Sequence, residues 1–357
     1  VARLLMIRLQ QLGLQVHTDD YGNVVAFLDG ENAAGEPLVL CGHMDTVDVV
    51  ENGQDEIVVN VGEEKITSDG QTIIGADNKD SVAAILEMVE IIIEKKLKHR
   101  PLELVFTREE EAISVGAKKF NFSLLTGKEC VISDMSQAYG KVVRSAPYCI
   151  QVDVQFEGKE CHAKEPEKGV NAFVAACEFV TLLSATEIEA SVRMNIAAGI
   201  GGVKDFSSKS DISIESISKA NRNTVPGMGN VFIQLRGLVN EHGDKTVEQI
   251  QEVSQKVAEK FGCKVVVNVN KLADCYVLDE QGNLMLKIFD VFRAQGVEPS
   301  YFDSNGGSDA NIFNNMGIET AVISSAHRNN HQVTEYVIIE DLVKLADFYL
   351  RLVTKVD

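Results

Sequence analysis

Apolar residues fall into two rhythms along the chain. In the first part, short apolar runs at 37–41 and 102–106, and a third ending in Val131 and Ile132, read as strands. Between the first two, Val82, Ile85, Leu86, Val89, Ile92 and Ile93 recur every three or four residues, the spacing of a helix with one buried face. Strand and helix in alternation predict an α/β sheet covered by helices.

Near Pro147 the pattern changes. Ile150, Val152, Val154 and Phe156 alternate with polar residues, as in a strand with one wet face. A helix over 171–183, strands at 212–217 and 231–238, a helix over 247–261 and a strand at 264–269 follow. That β-α-β-β-α-β order suits a small α+β domain with an antiparallel sheet. After about Leu272 the first rhythm returns, with a helix at 283–295, a strand at 321–324 and a final helix at 340–353. The expectation is a mixed, mainly parallel α/β sheet flanked by helices, formed by residues 1–146 and 272–357, with residues 147–271 inserted as an α+β domain.

Composition narrows the partners. A chain of 357 residues, 45% hydrophobic and 24% charged, has room for two globular domains with substantial cores. Its 34 basic against 53 acidic residues give −19, and no basic cluster reverses that charge locally, so nucleic acid and anionic lipid are excluded as partners. The longest apolar run, 88–93, is interrupted by Glu90 and is too short to span a bilayer. No signal-peptide pattern is present. The chain opens inside what reads as a helix (Ala2, Leu5, Ile7, Leu9, Leu12), so residues before Val1 are expected to be missing from it. Seven cysteines without paired spacing fit a reducing compartment, and the cytoplasm is the expected location.

Chemistry gathers where the apolar runs end. The first run ends in Gly42-His43-Met44-Asp45, and Thr72-Ile73-Ile74-Gly75 leads to Ala76-Asp77 just before a helix. The run at 102–106 ends in Thr107-Arg108-Glu109-Glu110-Glu111, Val131-Ile132 ends in Ser133-Asp134, and the run at 321–324 is followed by His327 and His331. Ligand sites of open α/β sheets form at the carboxyl ends of the strands. Taken singly, each residue has an ordinary reading: a hydrogen-bonded loop histidine, a helix cap at Asp77, a solvated acidic turn. Five at equivalent strand ends outweigh those readings. Two imidazoles and three or more carboxylates converging there would be costly as uncompensated charge. Divalent cations are the simplest compensation, and nitrogen and oxygen ligands suit zinc, with cobalt or manganese as substitutes. Cys41 is a soft donor among hard ones and reads as a packed strand cysteine.

These residues carry a resemblance. Gly42-His43-Met44-Asp45-Thr46-Val47, Gly75-Ala76-Asp77-Asn78-Lys79, Glu109-Glu110-Glu111, Asp134 and His331-Gln332-Val333-Thr334-Glu335 resemble the motifs of the di-zinc exopeptidases that include aminoacylase, carboxypeptidase G and peptidase T, closest to the peptidase T-like enzymes. The resemblance covers nearly the whole chain. It implies two zinc ions per chain, with Asp77 shared between them, His43 and Asp134 completing one site and Glu111 and His331 the other. It also implies that Asp45 orients the His43 ring and that Glu110 is the general base for the attacking water. In the inserted domain, His162 in Gly158-Lys159-Glu160-Cys161-His162 matches a lid histidine that approaches the oxyanion, often from a partner subunit. Asn223-Thr224-Val225-Pro226 and Arg236 resemble a segment that grips substrate, with Arg236 suited to a peptide carboxylate. Gly306-Gly307-Ser308-Asp309 matches a loop at the cleft floor. The inserted domain would serve as lid and as the surface through which two copies pair.

Three departures bear on substrate and lid. The family usually follows the shared Asp with Asp-Lys-Ala-Gly, whereas this chain has Asn78-Lys79-Asp80-Ser81. Ser218-Lys219 stands where a Gly-Gly pair is common, and Gln332 where a small or hydroxyl residue is usual. The expected activity is removal of the N-terminal residue from tripeptides or similarly short peptides. The alternatives are an N-acyl-amino-acid amidohydrolase on the same metal centre and a binding module that has lost catalysis. Against the latter, Glu110 and all five ligands are present. A nucleotide-binding protein is disfavoured because no phosphate-cradling glycine motif follows the first strand.

Overall fold

The apolar runs become the inner strands of a nine-stranded sheet. The computed structural model describes residues 1–30, 35–47, 56–201 and 222–354. Its contacts divide it into two units, Val1–Ala146 with Tyr276–Asp357, and Pro147–Cys275.

The first unit begins with α1 (Ala2–Gln11), the antiparallel pair β1 (Gln15–Thr18) and β2 (Val24–Leu28), and β3 (Leu38–His43). Then come β4 (Asn60–Val61), β5 (Lys65–Thr67), α2 (Ala76–Lys95), β6 (Leu102–Thr107), α3 (Val115–Lys119), β7 (Glu129–Met135) and β8 (Lys141–Ala146). The second unit holds β9 (Tyr148–Glu157), β10 (Cys161–His162), α4 (Ala172–Ser184), β11 (Arg193–Gly201), β12 (Thr224–Val225), β13 (Met228–Gly237), α5 (Asn240–Phe261) and β14 (Lys264–Ala273). The first unit resumes with β15 (Tyr276–Val277), α6 (Asn283–Ala294), β16 (Ser300–Asp303), α7 (Asp309–Asn315), β17 (Glu319–Ser324), β18 (His327–Arg328), β19 (Tyr336–Ile338) and α8 (Ile339–Thr354).

In the large sheet the order is β1-β2-β6-β3-β7-β17-β8-β15, with β16 beside β8. The sheet is mixed, and its centre is parallel: β6, β3, β7 and β17 run the same way. Every residue of β3 and β6 is buried, which is why both read as unbroken apolar runs rather than alternations. Helix α2 lays Val82, Ile85, Met88, Val89 and Ile92 into the core and packs against β3 and α8. Phe292 of α6 and Phe348 of α8 pack in a tilted pair with ring centroids 4.6 Å apart. Because four parallel strands share one direction, their carboxyl ends lie along one edge, and that edge collects His43, the residues after Thr107, Asp134 and the residues after Ser324.

The second unit is an antiparallel sheet in the order β11-β13-β9-β14, with α4 and α5 packed on it. Asn171 caps α4, accepting from the N–H of Phe173 and Val174 at 3.1 Å each. The strand expected at 212–217 lies outside the described residues. The place between α4 and β13 is taken by β11, an edge strand with much of its length exposed. Its glycines and weak alternation hide it from a periodicity reading. The inserted unit ends at Cys275, slightly later than expected, because β14 runs on to Ala273. All seven cysteines are free, and Cys41 is packed inside β3. Among the described residues no helix is long and apolar enough to cross a membrane.

Helix α3 closes tightly on the segment that follows β6: a Cβ on Gly116 would stand 1.8 Å from the carbonyl oxygen of Arg108. Gly116→Ala must therefore displace that backbone, and overpacking of this kind costs about 1–3 kcal/mol. The expected result is a lower urea midpoint at unchanged slope. An unchanged midpoint would mean that the segment yields freely.

Candidate metal centre

At the strand edge, Asp77 stands between two histidines. His43 is the last residue of β3 and is buried; its Nε2 lies 3.1 Å from Asp77 Oδ1 and 3.6 Å from Asp134 Oδ1. On the other side, His331 Nε2 lies 3.4 Å from Asp77 Oδ2 and 2.9 Å from Glu111 Oε1. The two oxygens of one carboxylate thus face two different donor groups. His43, Asp77 and Asp134 bring one ligand atom each to within 4.8 Å of one another, as do Asp77, Glu111 and His331, and also His43, Glu110 and Glu111.

Each donor is held by local structure. Asp77 sits at the start of α2 with non-helical backbone, after Gly75 at φ +70°, and the Asp77–Asn78 peptide is cis. Among the described residues no strand pairing holds Ile73 to Gly75. Instead the buried carboxylate of Glu335 accepts the backbone N–H groups of Gly75, Ala76 and Asp77 at 2.7, 3.2 and 3.0 Å. Asn330 donates to Asp77 Oδ2 at 3.0 Å. Asp45 holds three things together: its Oδ1 lies 3.4 Å from His43 Nδ1, and its two oxygens accept the N–H groups of Glu110 and Glu111 at 3.1 Å each. That contact fixes which way the triple glutamate faces. Glu109 turns away, at φ +54°, and accepts a hydrogen bond from the Tyr21 hydroxyl.

Charge is strained in this space. Burial alone would favour a neutral His43, but hydrogen bonds to Asp134, Asp45 and Asp77 outweigh it and push the imidazole well above its usual range. Burial, then the charges of Asp134 and Asp309, pushes Glu110 up; burial and the charge of Asp77 push Asp134 up to about 7. Burial would raise Asp77 too, but hydrogen bonds from His331 and His43 hold it far below the ordinary carboxylate range. Carboxylates outnumber cationic groups here, and divalent ions between the imidazoles and carboxylates remove that conflict. The nitrogen and oxygen donor set fits such ions.

Gly306, Gly307 and Ser308 line the same cleft as Asp77, Glu110, Glu111, Asp134 and His331, a space of about 200 Å³. Ser308 caps α7 in a reciprocal box with Asn311. Within the inserted unit, His162 of β10 pairs with Thr224 of β12, and the N–H of Ala163 donates to the carbonyl of Asn223 at 2.7 Å, so His162 and Asn223 are neighbours. Arg236 is not with them. It lies near the far end of β13, opposite Cys149, whereas the start of that strand at Met228 pairs with Glu157. Eight residues of extended chain, at about 3.3 Å each, separate the two ends, so a joint grip by Asn223 and Arg236 is not what the strand builds.

Several contributors have no simple sequence signal. Glu335 stands in the motif after His331 without a visible task. Asp80, one of the departures, accepts from the N–H groups of Ala326 and His327 at 2.8 Å each and lies 3.1 Å from His327 Nδ1. This makes His327 a third imidazole near Asp77, buried like His43 rather than a surface loop residue.

Residues 39–355 match peptidase family M20/M25/M40. The chain is 26% identical to the uncharacterized protein YqjE of Bacillus subtilis, over 99% of this chain and 92% of that one. Among solved structures, aminopeptidase PepT from Bacillus cereus superposes with a TM-score of 0.85 at 26% identity, covering 99% of this chain and 92% of that one. A tripeptidase from Staphylococcus aureus does so with a TM-score of 0.85 at 25% identity, covering 99% and 91%.

Glu335→Gln tests the cradle around Asp77. The amide offers one acceptor oxygen and a donor group to three backbone N–H groups, so the Asp77 turn should loosen. Loss of such outer support costs about 10–100-fold in metal affinity. Calorimetric titration with zinc should show that loss, and unchanged affinity would show that Asp77 holds its place without Glu335.

Proposed function

The chain belongs to peptidase family M20/M25/M40, and on that premise we propose that it is a di-zinc aminopeptidase that removes the N-terminal residue from tripeptides and similarly short peptides. The observation that carries this reading is Asp77, one carboxylate aimed at two histidine–carboxylate groups. His43 and Asp134 would hold one zinc ion with Asp77, and Glu111 and His331 the other; cobalt or manganese could substitute. When bound, the ions supply Lewis acidity, which lowers the pKa of the attacking water and polarises the scissile carbonyl. The aminopeptidase and tripeptidase relatives support the substrate class.

The protein's own groups do the rest. Glu110, tied to Asp45 through its backbone, takes a proton from the attacking water and passes it to the leaving amine. Asp45 keeps the His43 ring turned towards Asp77. Gly306, Gly307 and Ser308 form the floor along which a peptide backbone lies. His162, beside Asn223 in the inserted unit, acts as the lid donor to charge developing on the carbonyl oxygen. Pairing of two copies through the inserted unit is supported by β11 at the sheet edge and by exposed Phe173, Val174 and Leu182 on α4. Free cysteines suit the cytoplasm.

Three adjacent carboxylates give the decisive test. Glu110→Gln should bind two metal equivalents yet lose activity by about a hundredfold to ten-thousandfold. Glu111→Gln should weaken one site and recover partly in excess metal, and Glu109→Gln should leave turnover nearly intact. An essential Glu109 beside a dispensable Glu110 would shift the assignment by one residue. A second assay separates the reaction classes: tripeptides with a free amine should be cleaved and their N-acetyl forms spared. Preference for the acetylated forms would make the protein an N-acyl-amino-acid amidohydrolase.

A further inference from the structure

Asn78 follows the shared ligand, yet the mechanism above gives it no task. Its side chain is fully buried. Its Oδ1 accepts the backbone N–H of His43 at 3.3 Å, and its Nδ2 donates to the carbonyl of Ser133 at 2.5 Å and to Asp134 Oδ1 at 3.0 Å. One amide thus spans the ends of β3 and β7 and touches both residues that share an ion group with Asp77. The approach depends on Gly42, where a Cβ would come within 2.9 Å of Asn78 Oδ1. A carboxylate in this orientation would turn an oxygen towards two acceptors, whereas the amide turns its donor there and its acceptor towards the N–H of His43.

The other ion group is tied more loosely: Asn330 donates to Asp77 Oδ2 and Asp45 accepts the N–H of Glu111, but neither joins Glu111 to His331. His331 is half exposed, with 47% of its side chain open to solvent, against 2% for His43 and 10% for Asp134. Its backbone stands at φ +64°. Among the described residues, its ring meets Glu111 and Asp77.

We propose that Asn78 is a positioning residue that preorganises His43, Asp77 and Asp134 as the tight, slowly exchanging ion site, leaving Asp77, Glu111 and His331 as the weaker, exchangeable one. The inference rests on the two-ion reading above. Ligands already in place lose less freedom when the ion arrives, and burial keeps competing water out, so the inner group should fill first and empty last.

The test is retention of metal, not activity. The zinc-loaded protein is dialysed against a weak chelator such as citrate, and bound zinc is counted by atomic absorption. The wild type should keep one equivalent and lose the other. His331→Ala should still keep one. Asn78→Ala and Asn78→Ser, neither long enough to bridge the two strands, should keep none, with the tight affinity roughly 10–100-fold weaker. Thermal melts of the metal-free variants separate a damaged site from a damaged fold: for at least one variant the metal-free midpoint should match the wild type. Retention of a full equivalent by both Asn78 variants, or loss of both wild-type ions together, would overturn the proposal. Failure of the wild type to take up two ions at all would instead overturn the two-ion reading.

Discussion

Asp77 places its two carboxylate oxygens against two imidazoles, one at the end of β3 and one in the loop after β18, within a space shared with Glu110, Glu111 and Asp134. Like charges this close are tolerated only if their positions are fixed and counter-charge is supplied. Much of the surrounding structure meets the first requirement. Glu335 holds the turn that carries Asp77, Asp45 joins His43 to Glu110 and Glu111, and Asn78 joins His43 to Asp134. Apart from the contact of Asp45 with His43, these links are between residues distant in sequence, so the site exists only when the sheet has formed. Divalent ions meet the second requirement, and the same positive charge that relieves the repulsion is what a hydrolytic site needs at the scissile carbonyl.

The parallel centre of the sheet is what brings the donors together. Strands β6, β3, β7 and β17 end along one edge, so residues at or soon after these strand ends enter the same volume. Asp77 is the exception. It comes from a loop and a helix start rather than a strand, and its place is secured by side-chain carboxylate bonds to its backbone. That substitution of a carboxylate for a neighbouring strand makes Glu335 as much a part of the centre as the ligands.

Strand ends and helices of the large sheet were legible because burial on both faces writes an unbroken apolar run, and the donors were legible because each follows such a run. The contact that fixes Glu110 and Glu111 was not, since it depends on Asp45 reaching across 65 residues. The edge strand β11 escaped notice because an exposed edge leaves little alternation to read. Arg236, expected from the resemblance to act on substrate with Asn223, is set apart from the start of β13 by the extended length of that strand, a separation that motif spacing does not display. The contribution of Asn78 was invisible as a departure from a motif and became visible only through its three hydrogen bonds.

The central claim is that one carboxylate serves two ions. Anomalous diffraction from zinc-loaded crystals tests it directly. Two peaks are expected roughly 3.5–4 Å apart, each within bonding distance of a different oxygen of Asp77. A single peak, or two peaks that do not share Asp77, would contradict the account.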